Sequence, residues 1–262
     1  MPPAEGTPVW FELSAADPDA AQAFYAAVAG WRIAPSPMPE HGGYRIAEAE
    51  GRPVAGIRRP VPESPGFPGW AVYLATADVD AAAARAAELG GRVRFGPVDI
   101  PHVGRFALAS DPQGVVFALM RATTPSETRA FGPVPLGTER TLGHGVWIEL
   151  ATPDPAALAF YGALFGWEKL GAMPMGAMGE YAFVGLGDLR PGAVMASGAT
   201  GAPARWTWYV HVADIDAALA AVRASGGAVL RGPDPIPGGS YAAHIADPEG
   251  NGLGLAGPRR AS

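Results

Sequence analysis

The chain has 262 residues, of which 48% are hydrophobic and 17% charged, so it can build a packed core and general disorder is excluded. Its 19 basic residues against 25 acidic ones, without a basic run, argue against a nucleic-acid binder. The lack of cysteine excludes disulfides, thiolate nucleophiles and thiolate metal sites. No secretory signal pattern and no apolar run of the roughly 20 residues that a membrane helix needs are found. We therefore expect a cytoplasmic protein without a membrane partner.

One pattern of elements occurs four times along the chain. A strand-like run leads through an aspartate, a good helix N-cap, into an alanine-rich helix that ends near a glycine. The four strand-like runs are Val9–Leu13, Ala71–Thr76, Val146–Leu150 and Thr207–Val212. The helices are expected to begin at Asp17, Asp78, Asp154 and Asp214 and to stop at Gly30, Gly90, Gly166 and Gly226. Short β-like pieces broken by glycine and proline follow each helix, so the repeating unit is predicted to be βαβββ.

The second half of the chain repeats the first. Residues 9–31 match 146–167, and residues 70–91 match 206–227 at an offset of 206 − 70 = 136. Matched positions include the pairs Trp10 and Trp147, Glu12 and Glu149, Phe24-Tyr25 and Phe160-Tyr161, and Asp111 and Asp247. We predict one domain at 1–122 and a second at 142–258, each with two βαβββ units, joined by a linker at 123–141 and followed by a tail at 259–262.

Two motifs connect this organisation to a known family. After the first strand of each half, a Phe-Tyr pair is followed, after four intervening residues, by a Gly-Trp pair, and a D-P-x-G motif precedes the last strand of each half. In these features the chain resembles the vicinal oxygen chelate superfamily of glyoxalases, bleomycin resistance proteins and extradiol dioxygenases, and in particular a tandem two-domain glyoxalase-like subgroup. The resemblance implies an α+β fold in which four βαβββ units form two glyoxalase-like domains with open, cup-shaped sheets.

The resemblance also allows a test for a metal site. Metal-using members carry a histidine, glutamine or glutamate on the first strand of a unit and a glutamate on its last strand. The corresponding positions here are Ala71 and Thr207 on first strands and Ala118 and Gly254 on last strands. None of these residues is a metal ligand of the usual kind. In the other two units the last strands contain no carboxylate, and only Glu12 and Glu149 remain on the first strands. We therefore predict that the chain has neither the family metal nor another cofactor.

Strand alternation selects the side chains that would face the two cups. The predicted ligand-binding residues are Trp10, Glu12, Tyr73, Trp147, Glu149, Tyr209 and His211, and the catalytic candidates among them are Glu149, His211 and Glu12. A carboxylate on an apolar strand needs a partner or a raised pKa, so each glutamate is either a recognition group or base, or a paired structural residue. The tyrosines either form an aromatic wall with a polar handle or pack in the core. His211 is equally a structural or a functional histidine.

These residues favour a protein that binds or sequesters a small aromatic or carbonyl-bearing metabolite without a metal. The methionine-rich segment 173–178 either moulds to such a ligand or fills an unused cup. The alternative is a metal-independent isomerase, lyase or hydroxylase-type enzyme that uses a cup-facing glutamate as its base. A third interpretation makes one domain a structural support for the other. The expected partner is a small-molecule ligand, and a homodimer is compatible with the sequence.

Overall fold

The fold consists of helices and strands in the predicted order. The computed structural model describes residues 3–60, 67, 69–123, 130–132, 141–154, 156–176, 179–197 and 204–260. Over these residues the strands are β1 (Pro8–Ser14), β2 (Arg32–Pro35), β3 (Arg45–Ala49), β4 (Arg52–Arg58), β5 (Gly69–Ala75), β6 (Arg92–Ile100), β7 (Gly104–Ser110), β8 (Val116–Ala122), β9 (Gly145–Thr152), β10 (Glu168–Pro174), β11 (Glu180–Leu186), β12 (Leu189–Ala196), β13 (Arg205–His211), β14 (Ala228–Pro235), β15 (Tyr241–Ala246) and β16 (Gly252–Gly257). The helices are α1 (Pro18–Ala29), α2 (Val79–Glu88), α3 (Ala157–Phe165) and α4 (Ile215–Ala224).

The strands form two mixed sheets of eight. Their orders are β2-β3-β4-β1-β5-β8-β7-β6 and β10-β11-β12-β9-β13-β16-β15-β14. Within each βαβββ unit the first strand pairs in parallel with the last, and the remaining pairs are antiparallel. Each order ends in two different strands, so neither sheet closes on itself. The predicted α+β fold with four βαβββ units is confirmed.

Aspartate capping explains where three of the four helices begin. The carboxylates of Asp17, Asp78 and Asp214 accept hydrogen bonds from first-turn backbone amides of α1, α2 and α4. The prediction for the third helix was wrong by two residues, because α3 begins at Ala157. Asp154 accepts from the backbone amide of Ala156 at 2.8 Å, the same contact that Asp17 and Asp214 make with the amide two residues on. Pro155, most of the predicted linker 123–141 and the end of the methionine-rich segment lie outside the described residues.

The chain packs into two compact units, and each unit takes segments from both halves of the sequence. The first unit comprises Met1–Val9, Ala71–Thr128 and Ile148–Thr207, and the second comprises Trp10–Trp70, Arg129–Trp147 and Trp208–Ser262. Each compact unit therefore contains one βαβββ unit from the first half of the sequence and one from the second half. The predicted domain boundaries, which follow the sequence repeat, stay a prediction.

The core of the second unit is a cluster of aromatic side chains. Phe11 stacks on Trp208 with ring centroids 3.8 Å apart, and Trp31 stacks on Trp208 at 5.8 Å. The buried hydroxyl of Tyr25 accepts a hydrogen bond from Trp70 and donates one to the Asp247 carboxylate, both at 3.0 Å. The tyrosine of one half thus binds the D-P-x-G aspartate of the other half, which gives both motifs a structural role.

The core of the first unit repeats this arrangement with the halves exchanged. The Tyr161 hydroxyl donates to the carboxylate of Asp111 at 3.2 Å, and its ring stacks on Trp167 at 5.3 Å. Burial raises the pKa of Asp111 above its usual value, and the hydrogen bonds it accepts oppose that effect. The Trp167 indole donates to the backbone carbonyl of Gly6 at 3.2 Å. The two halves are therefore held by reciprocal tyrosine–aspartate contacts, one in each unit.

The phenylalanine of each Phe-Tyr pair is buried, as predicted, and it packs against the glycine pair that follows a helix of the other half. A Cβ atom at Gly227 would lie 2.5 Å from the Phe24 ring, so glycine is required for the close approach of α1. Phe160 lies against Gly91 in the same way, at 3.2 Å from the corresponding Cβ position. Among the described residues no helix is long and apolar enough to cross a membrane.

Candidate functional site

The first predicted carboxylate, Glu12, lies in a network of polar and aromatic side chains in the second unit. It is 7% exposed on β1, and Arg58 on the neighbouring strand β4 places its Nε 3.1 Å from Glu12 Oε1. Trp10, half-buried two residues before, donates to the Tyr44 hydroxyl at 2.9 Å. Burial, and next the negative charge of Glu12, raise the pKa of Tyr44 well above its usual value. Glu12 is therefore a paired carboxylate beside a neutral phenol.

Tyr44 fits here because the residue beneath it has no side chain. A Cβ atom at Gly56 would lie 1.7 Å from the Tyr44 hydroxyl oxygen, so the tyrosine occupies the space that any other residue at 56 would fill. Gly56 is also the register partner of Glu12 on the parallel strand β4. In the second half the register partner of Glu149 is Ala193, so the space that a glycine leaves here belongs to the first half.

The second carboxylate, Glu149, has similar surroundings in the first unit. It is 6% exposed on β9 and accepts a hydrogen bond from the Tyr181 hydroxyl at 2.9 Å. Tyr181 packs edge-on against Phe183 with centroids 5.6 Å apart. The position that corresponds to Arg58, at 58 + 137 = 195, is Met195 on β12. The same fold thus presents a glutamate–tyrosine pair with different neighbouring chemistry.

A second polar–aromatic cluster in the second unit surrounds Tyr209 on β13. Its hydroxyl is hydrogen-bonded to His244 Nε2 on β15, and the two rings meet edge to face with centroids 5.4 Å apart. The Tyr209 ring belongs to an apolar cluster with Val146 and Ala256, against which the half-buried Trp147 and Ala242 pack. Of the predicted site residues, the structure brings Trp147 and Tyr209 together here. The cluster offers an apolar wall and a phenol–imidazole polar group.

His211 is deeply buried two residues after Tyr209. Its Nδ1 lies 2.8 Å from the Thr141 hydroxyl, and its backbone pairs with residues 143 and 144. Its Nε2 is buried and makes no hydrogen bond to any part of the chain that the structure describes. Burial is the largest of the effects that lower the pKa of His211, and the nearby His144 lowers it further. The imidazole is therefore held neutral. The predicted grouping of Glu149 with Tyr209 and His211 takes residues from both units and stays a prediction.

Tyr73, the remaining predicted site residue, lies beside aromatic rings in the first unit. It is 3% exposed on β5, and its ring stacks on Phe106 at 6.2 Å, which in turn packs against Phe95 at 5.8 Å. Tyr73 and Tyr209 are equivalent in the repeat, since 73 + 136 = 209. The repeat equivalent of His244 is Leu108, so the imidazole at this position belongs to the second half.

The sequence analysis did not identify four residues of these clusters: Tyr44, Arg58, Tyr181 and His244. A signal for the two tyrosines was present, because 181 − 44 = 137 equals 149 − 12 = 137, so they repeat in step with the glutamates. Arg58 and His244 have no counterpart of the same kind in the other half. No local pattern could have selected them, since both enter their clusters through pairing between strands.

Comparison with known proteins supports the resemblance found in the sequence. A model of the glyoxalase-like domain matches residues 10–120. A model of the glyoxalase/bleomycin resistance protein/dioxygenase superfamily matches residues 145–255. The two matches correspond to the two halves of the sequence repeat, and each lies within one of the predicted domains.

One relative matches nearly the whole chain, and another matches less than half of it. The anthracycline biosynthesis protein DnrV of Streptomyces peucetius is 32% identical over 268 residues, which cover 96% of this chain and 93% of that protein. The CFP32 protein of Mycobacterium tuberculosis, named a glyoxylase on a provisional basis, is 44% identical over 117 residues, or 44% of either chain. The Mn(II)-bound glyoxalase of Novosphingobium aromaticivorans shares the fold with a TM-score of 0.64 at 17% identity, over 99% of this chain and 83% of that one.

Because the Novosphingobium glyoxalase binds Mn(II), the residues at the family's metal-ligand positions in this chain need to be compared with what a metal requires. At the last-strand position of the second half, a Cβ atom on Gly254 would lie 2.3 Å from the Tyr209 ring, so that ring fills the space a ligand side chain would need. Ala71 and Ala118 are buried and offer no donor atom. In the part of the chain that the structure describes, no three histidine, aspartate or glutamate side chains are placed to hold a metal ion. The residues present do not fit the family metal.

Proposed function

The chain belongs to the glyoxalase/bleomycin resistance protein/dioxygenase superfamily, and from that premise we propose that it binds a small planar aromatic metabolite without using the family metal. One observation carries the proposal. Tyr209 covers Gly254, where the family would place a metal ligand, and its hydroxyl is hydrogen-bonded to His244. A phenol–imidazole pair on an apolar wall therefore replaces a cation as the polar element of the site.

This cluster suits an aromatic ligand for physical reasons. Aromatic walls with a few polar groups are typical of pockets that hold flat organic molecules. Trp147 supplies a half-buried ring, and the small side chain of Ala242 packs against the same cluster. A phenol that is hydrogen-bonded to an imidazole can donate to a ligand carbonyl or accept from a ligand hydroxyl. The ligand class is an aromatic compound with ring carbonyl or hydroxyl groups.

The relatives indicate which aromatic compounds to test first. DnrV is named for anthracycline biosynthesis, and it is similar to this chain over almost its full length. We therefore propose an anthracycline-like, multi-ring ketone or quinone as the ligand, which the protein binds or sequesters in the cytoplasm. Within the second unit the proposal includes the predicted residues Trp10, Glu12 and His211, while Tyr73 and Glu149 stay predicted ligand contacts of the first unit.

Calorimetric titration with an anthracycline tests the proposal. We expect saturable binding by the parent chain that chelators do not change. Tyr209→Phe removes one hydrogen bond at the ligand, so affinity should fall roughly tenfold. Tyr241→Phe, another tyrosine of the same unit, is the matched control and should bind like the parent. A parent chain that binds no anthracycline, or that loses its affinity in a chelator, would overturn the proposal.

The predicted carboxylates are tested in the same titration. Glu12→Gln and Glu149→Gln keep the side-chain shape and remove the charge. If one glutamate contacts the ligand, only that variant should lose affinity, because the surroundings of the two carboxylates differ. Unimpaired binding in both variants would remove the carboxylates from the site and leave Tyr209 and His244 as the polar contacts.

A metal-independent enzyme is the second candidate function, favoured by the hydrogen bond between the Tyr209 hydroxyl and His244 Nε2. Such a pair can pass a proton between a substrate oxygen and the imidazole. Glu12, the base suggested by the sequence, is less suited to that role because Arg58 already pairs with it. Mass spectrometry of the titrated ligand distinguishes the candidates, since a binding protein returns the ligand unchanged and an isomerase or lyase does not.

A further inference from the structure

A pocket outside the candidate site has a different chemical character. It is open, has a volume of about 500 Å³, and lies in the first unit where the β6–β7 hairpin meets the end of β8. Its lining residues are Asp99, Ile100, Pro101, His102, Gly104, Arg105, Arg121, Ala122 and Thr123. None of them belongs to the clusters described above. The polar groups that line it are mostly hydrogen-bond donors, which indicates a site for an acceptor-rich group.

Two arginines of this pocket stand directly opposite each other. Arg105 on β7 and Arg121 on β8 are register partners in an antiparallel pair, so their side chains leave the same face of the sheet. Like charges at such positions repel unless anions compensate for them. An arginine pair at this place therefore calls for negative charge from the chain or from a ligand.

Within the described residues the chain forms ion pairs with only one of the two arginines. Arg105 donates two hydrogen bonds to Asp80, at 2.6 and 2.9 Å, and a third to Asp99 at 3.0 Å. The hydrogen bond from Arg105 is the main cause of the lowered pKa of Asp80, and the charge of Arg121 adds a smaller effect. Among the residues that the structure describes, no carboxylate lies within ion-pair distance of the exposed Arg121.

The second half of the chain shows that one arginine is enough to anchor this part of the fold. There the helix residue Asp216, equivalent to Asp80, pairs with Arg259 at 2.6 and 3.1 Å. The positions equivalent to Arg105 and Arg121 are Tyr241 and Gly257, since 105 + 136 = 241 and 121 + 136 = 257. Arg121 is thus a surplus cation that the equivalent packing in the other half does without.

We infer that this pocket binds an oxyanion group, a phosphate or a carboxylate, with Arg121 as its main contact. The guanidinium presents paired donors that match two oxygens of such a group, which a single-point cation does not. The His102 ring and the Thr123 hydroxyl line the same pocket and can donate to the remaining oxygens. This site is independent of the proposed aromatic ligand and can be tested whether or not that ligand binds.

Titration calorimetry of the full chain with inorganic phosphate and with malonate, at constant ionic strength, tests the inference and separates the two oxyanion types. We expect saturable binding of at least one of them at one site per chain. Arg121→Gln should weaken that binding by about tenfold or more, because it removes a charge-assisted hydrogen-bonding group. Arg121→Lys keeps the charge without the paired donors, so its affinity should lie between those of the parent and of Arg121→Gln.

The matched control is Arg85→Gln, which removes the same charge from the same unit at an exposed position paired with Glu88. It should bind phosphate or malonate like the parent, and thermal melts should show that all variants are folded. Binding of neither anion by the parent would overturn the inference. An equal loss in Arg85→Gln and Arg121→Gln would also overturn it, because that result indicates attraction by overall charge.

Discussion

Glu12 and Glu149 are copies of one position in a duplicated chain, and the structure gives them different surroundings. Both are buried on the first strand of their half, and both have a tyrosine from the same repeat position, Tyr44 or Tyr181, beside them. Arg58 pairs with Glu12, whereas Met195 stands at the equivalent position in the second half. The duplication preserved the scaffold and the carboxylate while the charge balance around the carboxylate diverged.

The comparison extends to the next strand pair. Tyr73 lies on a stack of phenylalanines, while its equivalent Tyr209 is hydrogen-bonded to His244. The arginine at position 58 thus belongs to the first half, and the imidazole at position 244 belongs to the second half. Two sites that began as copies offer different chemistry, which is why we expect a ligand to prefer one of them.

The shared scaffold gives the largest predicted effects. Phe24→Ala and Phe160→Ala should each reduce the free energy of unfolding by about 3–5 kcal/mol, because both rings are buried against glycines of the other half. Denaturant unfolding measures the loss. Val93→Ala, at a side chain 40% exposed on β6, is the control and should change stability by less than about 0.5 kcal/mol. A small loss at one phenylalanine only would show that the two copies are not equivalent.

The ion pair between Glu12 and Arg58, which the second half lacks at the equivalent position, gives the next largest predicted effect on stability. Arg58→Met makes the first copy resemble the second and leaves the buried Glu12 without its ion pair, so stability should fall by about 3 kcal/mol. Met195→Leu in the other copy is the control and should cost less than about 1.5 kcal/mol. Adding Glu12→Gln to Arg58→Met should restore part of the loss. If Arg58→Met is as stable as the parent, the ion pair is not what distinguishes the copies.

The smallest effect concerns His211, whose repeat equivalent in the first half is Ala75. Burial lowers the pKa of His211 below its ordinary value of about 6.5, so the unfolded chain takes up a proton that the folded chain resists. Its contribution is therefore fully present above pH 6.5 and is lost as the pH falls below that value. Unfolding curves from pH 8 to 5 should show a shallower decline for His211→Asn than for the parent. Parallel declines would mean that other groups set the pH dependence.

Much of the scaffold could be predicted because it depends on local and repeated signals. The aspartate caps of α1, α2 and α4 and the glycine that ends α1 act within a few residues of the chain. Because the same signals occur at equivalent positions in both halves, they are unlike chance occurrences of single residues. The start of α3 was missed by two residues: Asp154 binds the amide two residues on, as Asp17 and Asp214 do, but the helix begins only at Ala157.

The candidate sites were predictable only in part. Trp10, Glu12 and Glu149 follow from strand alternation, which places a polar side chain among apolar ones. Their partners do not, because Arg58 and His244 are brought near by strand pairing over long distances in sequence. The repeat held a usable signal for Tyr44 and Tyr181, since both follow their glutamate by the same number of residues.

By itself the sequence determined the α+β class, the four βαβββ units, the duplication and the lack of ligand side chains at the expected metal positions. Those properties depend on residue type, periodicity and spacing, which act locally or are copied with the repeat. Only the tertiary structure decided that Tyr25 binds Asp247 and Tyr161 binds Asp111, so that each compact unit draws on both halves. Likewise, only packing placed the Tyr209 ring over Gly254 and paired its hydroxyl with His244. A hydrogen bond between residues far apart in the chain depends on where strands meet, and no local preference encodes that.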